Sequence, residues 1–90
     1  MYVGIRVWTM PKSLFSKNYE IFLEHFRDAR VHAGTQEEIA KRIGQTQTFV
    51  SKCERGERRI DVIELMMFCK AFRIDAAEFI RGLHRKMRTR

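Results

Sequence analysis

Between Ser16 and Leu83 the apolar residues keep a helical period, and four times that period is broken by a helix stop or a cap. Tyr19, Phe22, Leu23, Phe26, Arg30 and Ala33 follow the first stripe, and Gly34 stops it. Thr35 with Glu38 three residues on forms a capping box for a second helix, inward at Ile39, Ala40 and Ile43 and closed by Gly44. Thr46 caps a third helix, 47–54, inward at Val50 and Cys53, which Gly56 ends. Asp61 caps a fourth, for which the stripe predicts a core face of Val62, Leu65, Met66, Phe68, Cys69 and Phe72. Ile74 and Asp75 open a fifth, holding Phe79, Ile80 and Leu83. Five short helices with one proline in 90 residues predict a compact all-α domain over 16–83.

The two ends differ from this middle. Residues 1–15 form an N-terminal arm in which Val3, Ile5 and Val7 alternate with Gly4, Arg6 and Trp8; a short strand and an unstructured leader both fit. Residues 84–90 form a basic tail without an apolar period. The chain's net charge of +7 sits largely at this end: Arg81, Arg85, Lys86, Arg88 and Arg90 fall within ten residues that hold no acid. Such a segment attracts a polyanion and is expected to add sequence-independent phosphate contacts.

Other classes are disfavoured. No stretch approaches the ~20 apolar residues of a membrane span, and the first ten residues do not resemble a secretory leader. Cys53 and Cys69 lie singly in apolar patterns, which predicts buried thiols in a reducing compartment, no metal site and a cytoplasmic protein. His25, His32 and His84 are scattered, no nucleophile accompanies them, and the glycines do not cluster as a phosphate loop. Neither an enzyme nor a cofactor is expected. The aromatics are spaced for a core rather than for stacking RNA bases.

The informative segment is Thr35–Gly56, two helices joined by a tight turn at Gly44, with the small Ala40 at their crossing and Ile43 and Val50 filling the angle. One face of the second helix then packs inward while its first turn and opposite face project. Such a helix fits the ~12 Å major groove of B-DNA. The segments TQEEIAKRIG and VSKCERG resemble the Cro/CI-type phage-repressor helix-turn-helix family over about residues 19–80. The resemblance implies a five-helix, lambda-repressor-like DNA-binding domain, usually dimeric, acting as a prokaryotic, nucleoid-associated transcriptional regulator. It assigns helix 36–43 to backbone support and helix 47–54 to base reading. One residue is missing between Gly34 and Thr35 relative to that pattern, which predicts a rotated or unwound end of the first helix.

The resemblance implies that Gln36 clamps the DNA backbone from a helix N-terminus. Thr46 and Gln47 open the reading helix, and a Gln amide matches adenine N6 and N7. Thr48 offers a hydroxyl and a methyl to base edges, and Lys52 reaches guanine or phosphate from the same face. Phe49 has two readings, packing at the domain edge or contact with a thymine methyl. Ser51 reads as backbone support. Arg55, Arg58 and Arg59 around Gly56 read as a phosphate clamp. Glu54 would repel phosphate, and the resemblance implies that it pairs inside the domain with Arg30.

On the fourth helix Ile63, Met67 and Ala71 form a second stripe, spaced by four and turned from the first. With Ile80 and Leu83 it is a candidate homodimer surface, unless the arm, through Tyr2 and Trp8, folds over it. A dimer would present two reading helices about 34 Å apart to a near-palindromic double-stranded DNA site. The alternative is an antitoxin or other interaction module whose stripe or arm covers a protein partner.

Overall fold

The computed structural model describes residues 12–89, so the arm's predicted strand, Tyr2 and Trp8 lie outside the described residues. Five helices follow one another: α1 Lys12–Ala33, α2 Gln36–Ile43, α3 Gln47–Glu54, α4 Val62–Phe72 and α5 Ala76–Arg88. Their starts are local chemistry. The side chains of Thr35, Thr46, Asp61 and Asp75 each accept a hydrogen bond from a backbone N–H in the first turn that follows, groups the helix itself leaves unpaired. Thr35 with Glu38, and Asp61 with Glu64, complete capping boxes.

α1 is the axis of the domain. Leu23, Arg27 and Arg30 point to α3 and the loop after it, while Phe22, His25 and Asp28 meet α5 on the opposite flank. Phe26 and Phe68, both fully buried, meet edge to face at 4.9 Å, and Phe22, Phe72 and Phe79 extend the aromatic core. Ile39, Val50, Cys53 and Cys69 close it. Burial pushes both thiols up, so they stay protonated and act as small hydrophobes.

The structure corrects four sequence expectations. Val62 and Met66, assigned to the core stripe of α4, are 66% and 56% exposed, whereas Ala71, assigned to the outer stripe, is buried. The cause is composition: only Glu64 and Lys70 interrupt the apolar residues of α4, so its sequence carries little phase information. Neighbours supply the phase, and the inward line is Leu65, Phe68, Cys69 and Phe72. α1 starts at Lys12, inside the stretch assigned to the arm. α5 runs through Arg88, because Met87, four residues after Leu83, keeps the half-buried side going. The end of α1 is not unwound. Gly34 N–H still reaches the Arg30 carbonyl at 2.9 Å. Its φ of 153° makes the short link, and a Cβ there would lie 2.6 Å from the Glu38 carboxylate.

Arg73 ends α4 at φ 62°, where other helices use glycine. An L-residue in this conformation costs about 1–2 kcal/mol, part of which glycine returns as unfolded-chain entropy. Arg73→Gly is expected to stabilise the domain by about 0.5–1 kcal/mol, read as a higher urea midpoint with an unchanged slope.

His25 links α1 to α5. Its Nε2 donates to the Phe79 carbonyl at 2.9 Å, its ring lies 4.4 Å from the Phe79 ring, and its Nδ1 is buried without a partner. Burial lowers its pKa below the ordinary 6.5; Lys86 and Arg85 lower it further, against the Phe79 carbonyl and Asp28. The folded protein therefore holds His25 neutral more firmly than the unfolded chain does. This contribution to stability is whole above the ordinary histidine range and is lost as pH falls through the lower folded value. The thermal midpoint should drop between pH about 7.5 and about 5, and His25→Gln, which keeps a donor but cannot be protonated, should flatten that slope.

Candidate nucleic-acid interface

The turn between α2 and α3 is set by Gly44. At φ 70° it terminates α2, and Gln45 N–H reaches back to the Ala40 carbonyl at 2.9 Å. Thr46 then caps α3, accepting from Phe49 N–H at 3.1 Å. Ala40 is buried at the crossing with fully buried Val50 nearby in the core. From the last turn of α2, Arg42 donates to the Ala71 carbonyl at 2.8 Å, tying the pair to the last turn of α4.

With α3 so placed, its residues divide by face. Val50, Cys53 and Glu54 are buried, and Thr48, Lys52 and the following Arg55 are exposed on the opposite side at a spacing of four and three. Gln47 is exposed at the first turn. Ser51 is half-buried and its hydroxyl receives a hydrogen bond from Arg55.

Glu54 organises the site from within. It is 3% exposed, and its carboxylate receives Arg30 Nε at 2.5 Å, Arg30 Nη2 at 3.1 Å and Gln36 Nε2 at 3.0 Å. Arg27 donates to its backbone carbonyl at 3.1 Å. Arg30 also donates to the Gly34 carbonyl at 3.1 Å, so the same guanidinium binds the end of α1 to the end of α3. A carboxylate only accepts, so the Gln36 amide must turn its NH2 inward and its oxygen outward. That oxygen accepts from Gln47 Nε2 at 2.6 Å. The order fixes the second amide too: Gln47 presents its own oxygen and its second N–H to solvent. A buried ion pair thus orients an exposed amide through one intermediate.

The arginines after α3 are less free than their charge count suggests. Arg55 pairs with Glu57 at 2.7 Å, an exposed pair of small energetic weight. Arg58 holds Glu64 through two bonds, at 2.6 and 2.9 Å, and lies over the Phe49 ring at 4.9 Å. Its guanidinium is the main reason the Glu64 carboxyl lies below the ordinary range, with the Asp61 N–H second. Arg59 lies 4.3 Å over the Tyr19 ring. Phe49 stacks on Phe68 at 6.2 Å, so its ring is directed toward the core and not outward.

The structure therefore brings Gln36, Thr46 and Gln47 together at one end of α3 and lines up Thr48, Lys52 and Arg55 along its outside. It places Phe49, Arg58 and Arg59 against neighbouring side chains of the domain. Sequence reasoning missed the Gln36 bond to Glu54 and the Arg58 bond to Glu64. Only the Ser51–Arg55 contact, at helical spacing, had a signal to follow. The dimer candidates also divide: Ile63 and Ile80 are 69% and 45% exposed, but Met67 and Leu83 are half-buried, and Leu83 packs on the core. Among the described residues no cluster of His, Cys, Asp or Glu could hold a metal ion, and no helix is long and apolar enough to cross a membrane.

A helix-turn-helix family model matches residues 26–79, from the second half of α1 to the first turn of α5. Among solved structures, an XRE-family like protein from Pseudomonas syringae pv. tomato str. DC3000 is similar: 42% identity, 81% of this chain and 90% of that chain covered, and a TM-score of 0.76. No curated protein matches the chain.

Proposed function

The chain belongs to the XRE (Cro/CI-type) helix-turn-helix family, and from that membership we propose that it is a sequence-specific regulator of transcription, most simply a repressor, which reads the major groove with α3. The observation that carries this reading is the division of α3: one side locked into the core, the other presenting Thr48, Lys52 and Arg55 beside an oriented Gln47. In this reading Gln47 gives an acceptor to adenine N6 and a donor to N7, and Lys52 and Thr48 reach neighbouring base edges. Gln36, Thr46 and Arg55 hold the phosphates on either side. Arg58 and Arg59 act on the DNA through their charge while bracing the loop, and Phe49 contributes by seating α3. The rings of His25 and His32 are bonded to the Phe79 and Asp28 carbonyls, which suits helix packing better than catalysis. The setting of such a regulator is the cytoplasm.

The test is selection of bound sequences from a random duplex pool at two salt concentrations. An enriched half-site, repeated as a near-palindrome, is expected, together with a steep fall of affinity with salt. A pool that returns no preferred sequence would remove the base-reading role of α3.

Dimerisation belongs to the same proposal. Val62, Ile63 and Met66 leave an apolar face on α4, and Ile80 is exposed on α5, which packs against α4. Ile63→Glu with Met66→Glu should convert a dimer to a monomer in sedimentation at tens of micromolar. Unchanged sedimentation would place the subunit contact elsewhere. The same face also suits a protein partner, the antitoxin-like reading, in which case a second polypeptide copurifies and the double variant releases it.

A further inference from the structure

The cations at the end of the chain are on a different side of the domain from those of α3. Arg81, His84, Arg85 and Arg88 occupy positions i, i+3, i+4 and i+7 along α5, and all four are exposed. They form one stripe, turned from buried Phe79 by about half a turn. Arg81 shares its charge with Glu78 at 2.8 Å, and Lys86, beside the stripe, lies 3.7 Å from Asp28. Arg85 and Arg88 line a common surface recess with Thr89 and have no acidic partner among the described residues. α5 and α3 do not touch, and α1 stands between them, with Arg27 and Arg30 toward α3 and His25 and Asp28 toward α5. A straight duplex seated on α3 therefore leaves the stripe facing solvent on the far side.

We propose that this stripe is a second, sequence-independent DNA-docking surface that takes the phosphate backbone of another duplex segment, so that one domain bridges two. The proposal rests on α3 being the surface that takes the first. The chemistry of the stripe selects among polyanions. Guanidinium groups match phosphate oxygens in pairs. The stripe is about 10 Å long, and DNA carries a charge every ~1.7 Å of axis, so several phosphates face it at once. A protein partner would need an apolar or aromatic anchor, and the stripe offers none, with Ile80 a quarter turn away. An anionic membrane would need a free apolar side to immerse, and that side of α5 is packed on α1 through Phe79 and His25.

The experiment is a two-duplex capture. One 30-base-pair duplex carrying the selected site is immobilised, the full chain is bound, and a fluorescent duplex of unrelated sequence is added. Arg85→Glu with Arg88→Glu should cut capture of the fluorescent duplex by about tenfold or more at low salt, while affinity for the immobilised duplex alone changes less than about twofold. Arg81→Gln with Arg85→Gln and Arg88→Gln, a milder change that keeps good helix formers, should act in the same direction with an unchanged helical signal. Capture indifferent to both variants would overturn the proposal. So would an equal loss of affinity for the single duplex, which would put the stripe on the same DNA as α3, or binding to anionic phospholipid vesicles in preference to the second duplex. The two readings fail separately: a pool without an enriched sequence counts against α3, and charge-insensitive capture counts against α5.

Discussion

Glu54→Ala is expected to destabilise the folded chain by about 3–5 kcal/mol, the range for removing one member of a buried ion pair. The loss does not measure the attraction of the pair. It measures what stays behind: the guanidinium of Arg30, 15% exposed, keeps only the Gly34 carbonyl, and the inward NH2 of Gln36 loses its acceptor. Urea denaturation reads it as a lower midpoint with an unchanged slope. The double variant Arg30→Met with Glu54→Leu should recover most of the stability, because no charge is then left buried. A loss below about 1 kcal/mol in Glu54→Ala would mean that water reaches Arg30 and that the pair is effectively at the surface.

Gln47→Ala is the variant expected to change recognition most. A bidentate amide–adenine contact discriminates by about 1–3 kcal/mol, so affinity for the selected duplex should fall by about 5–150-fold. Affinity for duplexes already altered at that base pair should hardly change. Anisotropy titrations against the selected site and its single-base variants separate the two. Gln36→Ala should give a smaller loss at the same base pair, since it frees the amide it now orients. A uniform loss on every sequence would assign Gln47 to the phosphates instead.

How far the molecule could be read in advance depended on the range of the interactions involved. The α2–turn–α3 unit was legible because its determinants are neighbours in sequence: Thr35 with Glu38, Gly44 at its turn, Thr46 with Phe49. α4 was legible as a helix but not in rotation, since a segment apolar on nearly every side buries whatever its neighbours cover; Val62 and Met66 fell outside and Ala71 inside. The end of α5 was missed because Met87 is a single residue of pattern among cations. The arginines after α3 show the limit of counting charge: Arg58 turns to Glu64, six residues on, across a loop whose path no spacing rule specifies. The amide order from Gln36 to Gln47 required the position of Glu54, 18 residues from Gln36, to be known first.

The division of α3 also bears on how such a domain diversifies. Val50, Cys53 and Glu54 anchor the helix, while Thr48 and Lys52 contribute no core contact. Substitutions at those two codons leave folding nearly untouched. If α3 reads bases as proposed, lineages carrying this scaffold can drift to new DNA sites one neutral-stability step at a time, with the cost of each step borne by the old target and not by the fold.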